Sequence, residues 1–169
     1  MENDEKFMRE ALREAALAGG DNEIPIGAVI VCRGRVIARG HNMVETLHDP
    51  TAHAEMIALT AATEALGGKY LSDCTIYVTV EPCPMCAAAL NWAQMGRIVW
   101  GADDPKRGFT MFSPSLIHPK TETLSGAVFI RFTMSFLILS NTDRSSATDD
   151  NSKNIFGYEV SFKQSEIFG

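Results

Sequence analysis

The chain has 169 residues, enough for one domain with a single hydrophobic core and with little room for a second. An apolar fraction of 46 % and a charged fraction of 21 % are those of an ordinary soluble globular chain and exclude a low-complexity one. The formal net charge of −6 excludes nucleic-acid binding by bulk charge, so an RNA or DNA partner would need a local basic patch. Met1 to Phe7 is acidic and lacks the basic start and apolar run of a secretory signal, which predicts a cytoplasmic protein.

Glu5 to Leu17 places Phe7, Met8, Ala11, Leu12 and Ala15 on one helical face, and Gly19–Gly20 is the expected stop. Gly27 to Cys32 reads as a buried strand, Arg33–Gly34 as a two-residue turn and Arg35 to Gly40 as the hairpin partner. His41 to Pro50 is polar and reads as a loop. Thr51 to Leu66 is rich in Ala, Met and Leu and reads as a helix closed by Gly67–Gly68. Thr75 to Val80 alternates β-branched and aromatic residues, as a central strand does. Glu81-Pro-Cys-Pro-Met-Cys86 is a turn opening a helix that runs to about Met95, with Pro84 in its first turn and Gly96 as its stop. Arg97 to Trp100 is a further strand, Gly101 to Phe112 a loop, Ser113 to His118 a short helix and Thr121 to Ser125 a last strand. Helices alternating with strands predict a layered α/β fold with a hairpin at one side and parallel crossovers in the rest.

Two short motifs carry the chemistry. His53 and Glu55 stand at the start of one expected helix, and Cys83 and Cys86 at the start of another. One imidazole and two thiolates are a soft set that suits tetrahedral zinc and leaves a coordination position open, as in catalytic sites. Helix N-termini favour the thiolate form. Zinc held there would make water a nucleophile near neutral pH. Glu55 is placed to carry the proton such a water gives up. Cys32 and Cys74 lie in apolar, strand-like runs and read as buried thiols without a chemical role.

The string His53-Ala-Glu55 with Glu81-Pro-Cys83-Pro-Met-Cys86 resembles the cytidine deaminase-like superfamily. With Ile24 to Val29, Gly40-His-Asn42, Asp49 to Glu55, Gly96 to Ala102 and His118-Pro119, the chain is most similar to the bacterial tRNA-specific adenosine deaminases, over about three quarters of its length. The resemblance implies a three-layer α/β/α fold, a mixed sheet of about five strands with helices on both faces. It also implies zinc on His53, Cys83 and Cys86, proton transfer by Glu55, and conversion of a tRNA wobble adenosine to inosine. By position, Asn42 would hydrogen-bond the base and Ile26 would form a pocket wall. Asp104 would look toward a neighbouring sugar, and Lys106 and Arg107 toward phosphates. The expected partners are a tRNA anticodon stem-loop and a second copy of the chain, the homodimer burying Trp92, Met95 and Met111; no membrane is expected. A deaminase of a free base or nucleoside, of the guanine or cytosine type, remains the alternative enzyme, and an inactive partner or aberrant product the alternative to an enzyme.

The resemblance stops near Gly126, dividing the chain into an expected deaminase domain, 1–126, and an atypical C-terminal tail, 127–169, partly disordered over the polar stretch 140–154. Where the family has an amphipathic helix ending in basic residues, Ala127 to Leu139 is rich in Phe, Ile and Thr with one charge, Arg131. It is too short for a membrane span of about 20 residues. Such a composition is β-prone and association-prone, and points to an altered reading frame or a lineage-specific tail with weaker hold on tRNA.

Overall fold

The structure, a computed structural model, describes residues 2–126. The expected tail, 127–169, lies outside the described residues.

Five strands form one mixed sheet in the order β2-β1-β3-β4-β5: β1 is Gly27–Cys32, β2 Arg35–His41, β3 Cys74–Val80, β4 Arg97–Ala102 and β5 Glu122–Ser125. β1 runs antiparallel to both β2 and β3, so the parallel part is confined to β3, β4 and β5. The β1–β2 turn is the expected two-residue one. Arg33 and Gly34 have φ of 50° and 75°, the left-handed pair whose twist matches that of the strands.

Side chains alternate between the two faces of the sheet, and each face has its own core. Val29, Val31, Tyr77 and Val99 pack with Phe7, Met8 and Ala11 of helix α1, Glu2–Gly20. Ala28, Ile30, Ile76, Val78, Ile98 and Trp100 pack with helices α3, Ala54–Leu66, and α4, Pro84–Trp92. The result is the three-layer α/β/α arrangement. α3 lies close against the sheet because the stripe it buries is Ala54, Ala58 and Ala62. The facing strand residue is Gly40, where an added Cβ would stand 2.5 Å from the Ala54 carbonyl oxygen.

α1 is longer than the sequence predicts. At its start Asp4 accepts hydrogen bonds from Arg97 Nη1 at 2.6 Å, Arg97 Nη2 at 3.1 Å and the Tyr77 hydroxyl at 2.7 Å, tying the first turn to the sheet. At its end Gly19 and Gly20 stay helical, and Asn22, with φ of 60°, makes the left-handed stop. The Asn22 N–H reaches the Gly19 carbonyl and the Glu23 N–H the Ala18 carbonyl. α4 ends in the same way at Gln94, φ 50°, and not at Gly96. The expected loop 41–50 contains a four-residue helix α2, Val44–Leu47, and the loop 101–112 a helix α5, Phe109–Phe112, followed by a 3₁₀ turn at Pro114–Leu116. Met95, expected at a dimer surface, is instead buried in the core beside α4; Trp92 and Met111 are exposed. Among the described residues no helix is long and apolar enough to cross a membrane.

Candidate metal centre and active-site pocket

The strand directions bring one residue from each connection to the same end of the sheet. Ile26 precedes β1, Asn42 follows β2, Cys83 follows β3 and Asp104 follows β4. In open α/β sheets the crevice beyond the carboxyl ends of parallel strands is where ligands bind. Here β3 and β4 supply those ends, and the N-termini of α3 and α4 point into the same crevice.

His53 and Cys83 occupy the capping positions of α3 and α4. Both have extended backbone (φ/ψ −73°/154° and −70°/167°), and neither uses its side chain to cap the helix. Their side chains are thereby turned toward each other. His53 Nδ1 lies 3.7 Å from Cys83 Sγ and 3.5 Å from Cys86 Sγ. Ligand bonds of about 2.3 Å to sulfur and 2.0–2.1 Å to nitrogen at tetrahedral angles give a nitrogen–sulfur separation of about 3.6 Å, so the donor set already has the spacing of a zinc site. Three protein donors, two of them thiols, leave one tetrahedral position toward the cavity. Zinc is the metal these residues fit.

The Cys83 thiol is held down to about 4, first by the hydrogen bond with Cys86 and then by His53, against the opposing effect of burial. Cys86 moves up, because of that same hydrogen bond and its burial. His53 moves up, chiefly through its hydrogen bond to Cys83. Glu55, 4 % exposed in the first turn of α3, is pushed up to about 7, mainly by burial.

His53, Glu55 and Cys83 face a cavity of about 640 Å³. Ile26, Asn42, His53, Glu55, Cys83, Asp104, Lys106 and Arg107 all line it, while Cys86 is buried behind the other ligands. The residues singled out in the sequence are therefore neighbours in space. One oxygen of Asp104 is engaged within the chain. Its Oδ1 accepts from the backbone N–H of Lys106 and of Arg107, each at 3.0 Å, so that oxygen shapes its own loop.

Two buried carboxylates that sequence reasoning missed hold the cavity walls. Glu23 accepts from Asn42 Nδ2 at 3.0 Å, from the Glu45 N–H at 3.2 Å and from the Thr46 N–H at 2.7 Å. Burial alone would raise its pKa, but these donors outweigh it and keep the carboxyl below the ordinary range. The bond to Glu23 uses one hydrogen of the Asn42 amide and fixes the orientation of that side chain. Glu81 accepts from the Asp104 N–H at 2.9 Å, the Thr110 N–H at 3.0 Å and the Thr110 hydroxyl at 2.6 Å, pinning both ends of the loop that carries Lys106 and Arg107. In the sequence Glu81 stands out only as a neighbour of Cys83. Glu23 has no local signal beyond being acidic.

Residues 1–102 match the family of the cytidine and deoxycytidylate deaminase zinc-binding region. A tRNA-specific adenosine deaminase of Bacillus subtilis is 49 % identical over 133 residues, covering 76 % of this chain and 83 % of that protein. The chloroplastic tRNA(adenine(34)) deaminase of Arabidopsis thaliana is 53 % identical over 105 residues, and the match spans only 8 % of that much longer protein. A solved structure from work on A-to-I editing by tRNA:A34 deaminases superposes with a TM-score of 0.67 at 47 % identity, covering 72 % of this chain and 97 % of the other. With the histidine, the two cysteines and the glutamate set at one end of the shared sheet, the chain belongs to the zinc-binding cytidine and deoxycytidylate deaminase family, in the group of the tRNA-specific adenosine deaminases.

Proposed function

We propose that this protein hydrolyses adenosine to inosine and ammonia at the wobble position of a tRNA anticodon. The observation that carries the reading is the convergence of His53, Cys83 and Cys86 with buried Glu55 on one cavity, in a chain 49 % identical to a tRNA-specific adenosine deaminase. Zinc, when bound by the three ligands, supplies the Lewis acid that lets water act as a nucleophile near pH 7. Glu55 takes the proton that the water gives up and delivers it to the amino nitrogen at C6 of the base, which leaves as ammonia. Asn42, oriented by Glu23, hydrogen-bonds a ring nitrogen of the base through the second hydrogen of its amide, and Ile26 forms an apolar wall. Lys106 and Arg107 meet the flanking phosphates, and Asp104 offers its second oxygen to a neighbouring sugar. A base in an anticodon loop is already partly unstacked, so bringing it into the cavity costs less than from a duplex.

The reading extends to the assembly. Residues 1–126 are the deaminase domain, and 127–169 is a stretch of sequence atypical of that family. Two copies pair through the surface that bears Trp92, 83 % exposed, and Met111, 65 % exposed. The protein works in the cytoplasm, with the tRNA pool. Sedimentation at micromolar concentration tests the pairing, and a monomer there removes it. The activity is tested by incubating the zinc-loaded protein with an anticodon stem-loop carrying the wobble adenosine, and separately with adenine, guanine and cytosine. Inosine in the stem-loop and no ammonia from the free bases is the expected result. Ammonia from a free base alone would assign the protein to the other class of deaminase.

A further inference from the structure

At the opposite end of the sheet from the zinc ligands, Cys32 and Cys74 are register partners across the antiparallel β1–β3 pair. Both are even-numbered positions on the face that carries Ala28, Ile30, Ile76 and Val78, so their side chains share that face. Antiparallel partners stand about 4.5–5.5 Å apart at Cα, within the roughly 4.4–6.8 Å that a disulfide spans. Expected to be inert and buried, the two thiols differ. Cys74 is 2 % exposed, but Cys32 is only partly buried. Both line a separate cavity of about 540 Å³, with Leu66 and Tyr70 on its wall. Its rim carries two guanidinium groups, Arg33 and Arg35, against one carboxylate, Asp73, which lies 3.7 Å from Arg33. The seven residues of β3, at about 3.3 Å each, put some 20 Å between this cavity and the zinc ligands.

We propose that Cys32 and Cys74 form a second thiol site, a cross-strand dithiol that is oxidised by anionic low-molecular-weight disulfides of the glutathione type. The partly exposed Cys32 sulfur attacks one sulfur of the disulfide. The S–S bond breaks, a mixed disulfide forms on Cys32, and one small thiol leaves with the Cys32 proton. Cys74 then attacks the Cys32 sulfur and expels the second small thiol, which carries away the Cys74 proton. The protein loses two protons and two electrons, and the small disulfide becomes two thiols. Burial, and then the neighbouring Cys32 sulfur, push Cys74 up to about 12, so the first attack falls to Cys32. The second step is intramolecular, and there proximity compensates for a protonated thiol. The arginine-rich rim attracts the carboxylates of the attacking molecule.

The test treats the zinc-loaded full chain with oxidised glutathione and follows intact mass, peptide linkage and zinc content. The expected product has lost two hydrogens, links the Cys32 and Cys74 peptides and retains its zinc. Cys74→Ala, which keeps an apolar group in the core, stops at one glutathione on Cys32, and Cys32→Ser leaves Cys74 unmodified. Arg35→Ala slows the reaction with oxidised glutathione several-fold but not that with uncharged hydroxyethyl disulfide. A wild-type protein that keeps a stable adduct on Cys32 alone overturns the proposal. So does one that links Cys83 to Cys86 and releases zinc while Cys32 and Cys74 stay reduced.

Discussion

The carboxylate of Glu81 lies directly under Gly108, so close that a methyl group at position 108 would overlap it. The same carboxylate receives the N–H groups of Asp104 and Thr110, at the two ends of the segment that Gly108 closes. The basic loop at the cavity mouth is therefore laid over a buried anion, and residue 108 has to be small for the loop to reach it. Gly108→Ala is expected to lift this loop and lower kcat/KM on tRNA by about 1–3 kcal/mol, the scale of a buried hydrogen bond lost. Zinc content should not change. Hydrogen exchange at the Asp104 and Thr110 amides, faster in the variant, checks the cause; unchanged exchange with lowered activity would point to direct substrate contact by residue 108.

Glu55 and Cys86 should separate proton transfer from metal binding. Glu55→Gln is expected to retain one zinc per chain and lose turnover, because the proposed mechanism gives the side chain proton transfer and the metal-ligand group is His53, Cys83 and Cys86. Cys86→Ala is expected to lose both, since it removes one of three donors from a set already spaced for the ion. Metal analysis beside inosine formation reads the two outcomes. Zinc lost from Glu55→Gln would show that the carboxylate belongs to the coordination sphere.

Asn42→Ala removes the amide and should lower kcat/KM by about 1–3 kcal/mol with zinc in place. Glu23→Gln tests the support behind it. The glutamine would present its own N–H groups where Asn42, Glu45 and Thr46 now donate, so the amide loses its fixed orientation and α2 its anchor. The expected signature is a raised KM with a smaller change in kcat. Equal losses in both would mean that Glu23 acts on the chemical step.

Stability should fall in acid through Asp4. The Arg97 guanidinium, and after it the Tyr77 hydroxyl, hold the Asp4 carboxyl below its ordinary value against the effect of burial. The unfolded chain therefore binds a proton at a pH where the folded chain does not. The stabilisation is complete above the unfolded carboxylate pKa and is lost as pH falls through the lower folded one. Asp4→Asn should cost about 1.5–3 kcal/mol at neutral pH, the range for hydrogen bonds to a charged group. It should also flatten the acid limb of a plot of thermal midpoint against pH. An acid limb of unchanged slope would place the titrating group elsewhere.

The metal centre is legible in the sequence because each half of it is local. His53 with Glu55, and Cys83 with Cys86, lie within one turn of a helix start, and a helix start is itself marked by composition. Glu23 and Glu81 are the reverse case. Each accepts backbone N–H groups from residues 22 to 29 positions away, and a contact of that kind leaves no pattern around the residue that makes it. The helix ends show a third situation. Gly19–Gly20 and Gly96 looked like stops, yet Asn22 and Gln94 adopt the left-handed conformation. Gly96 is needed for a different reason: an added Cβ would run into the Ser72 carbonyl. The four-residue helices α2 and α5 are too short to show any periodicity.

Because the functional loops all leave from one end of the sheet, the hairpin turn at Arg33–Gly34 sits at the opposite end of the described residues, joined to the cavity through the ladders that β1 forms with β2 and β3. That turn is a natural anchor point for a probe. A dye or surface tether attached there, through a few residues inserted between Arg33 and Gly34, would leave the cavity mouth open to a ligand as bulky as a tRNA. The immobilised protein would then present every molecule in the same orientation.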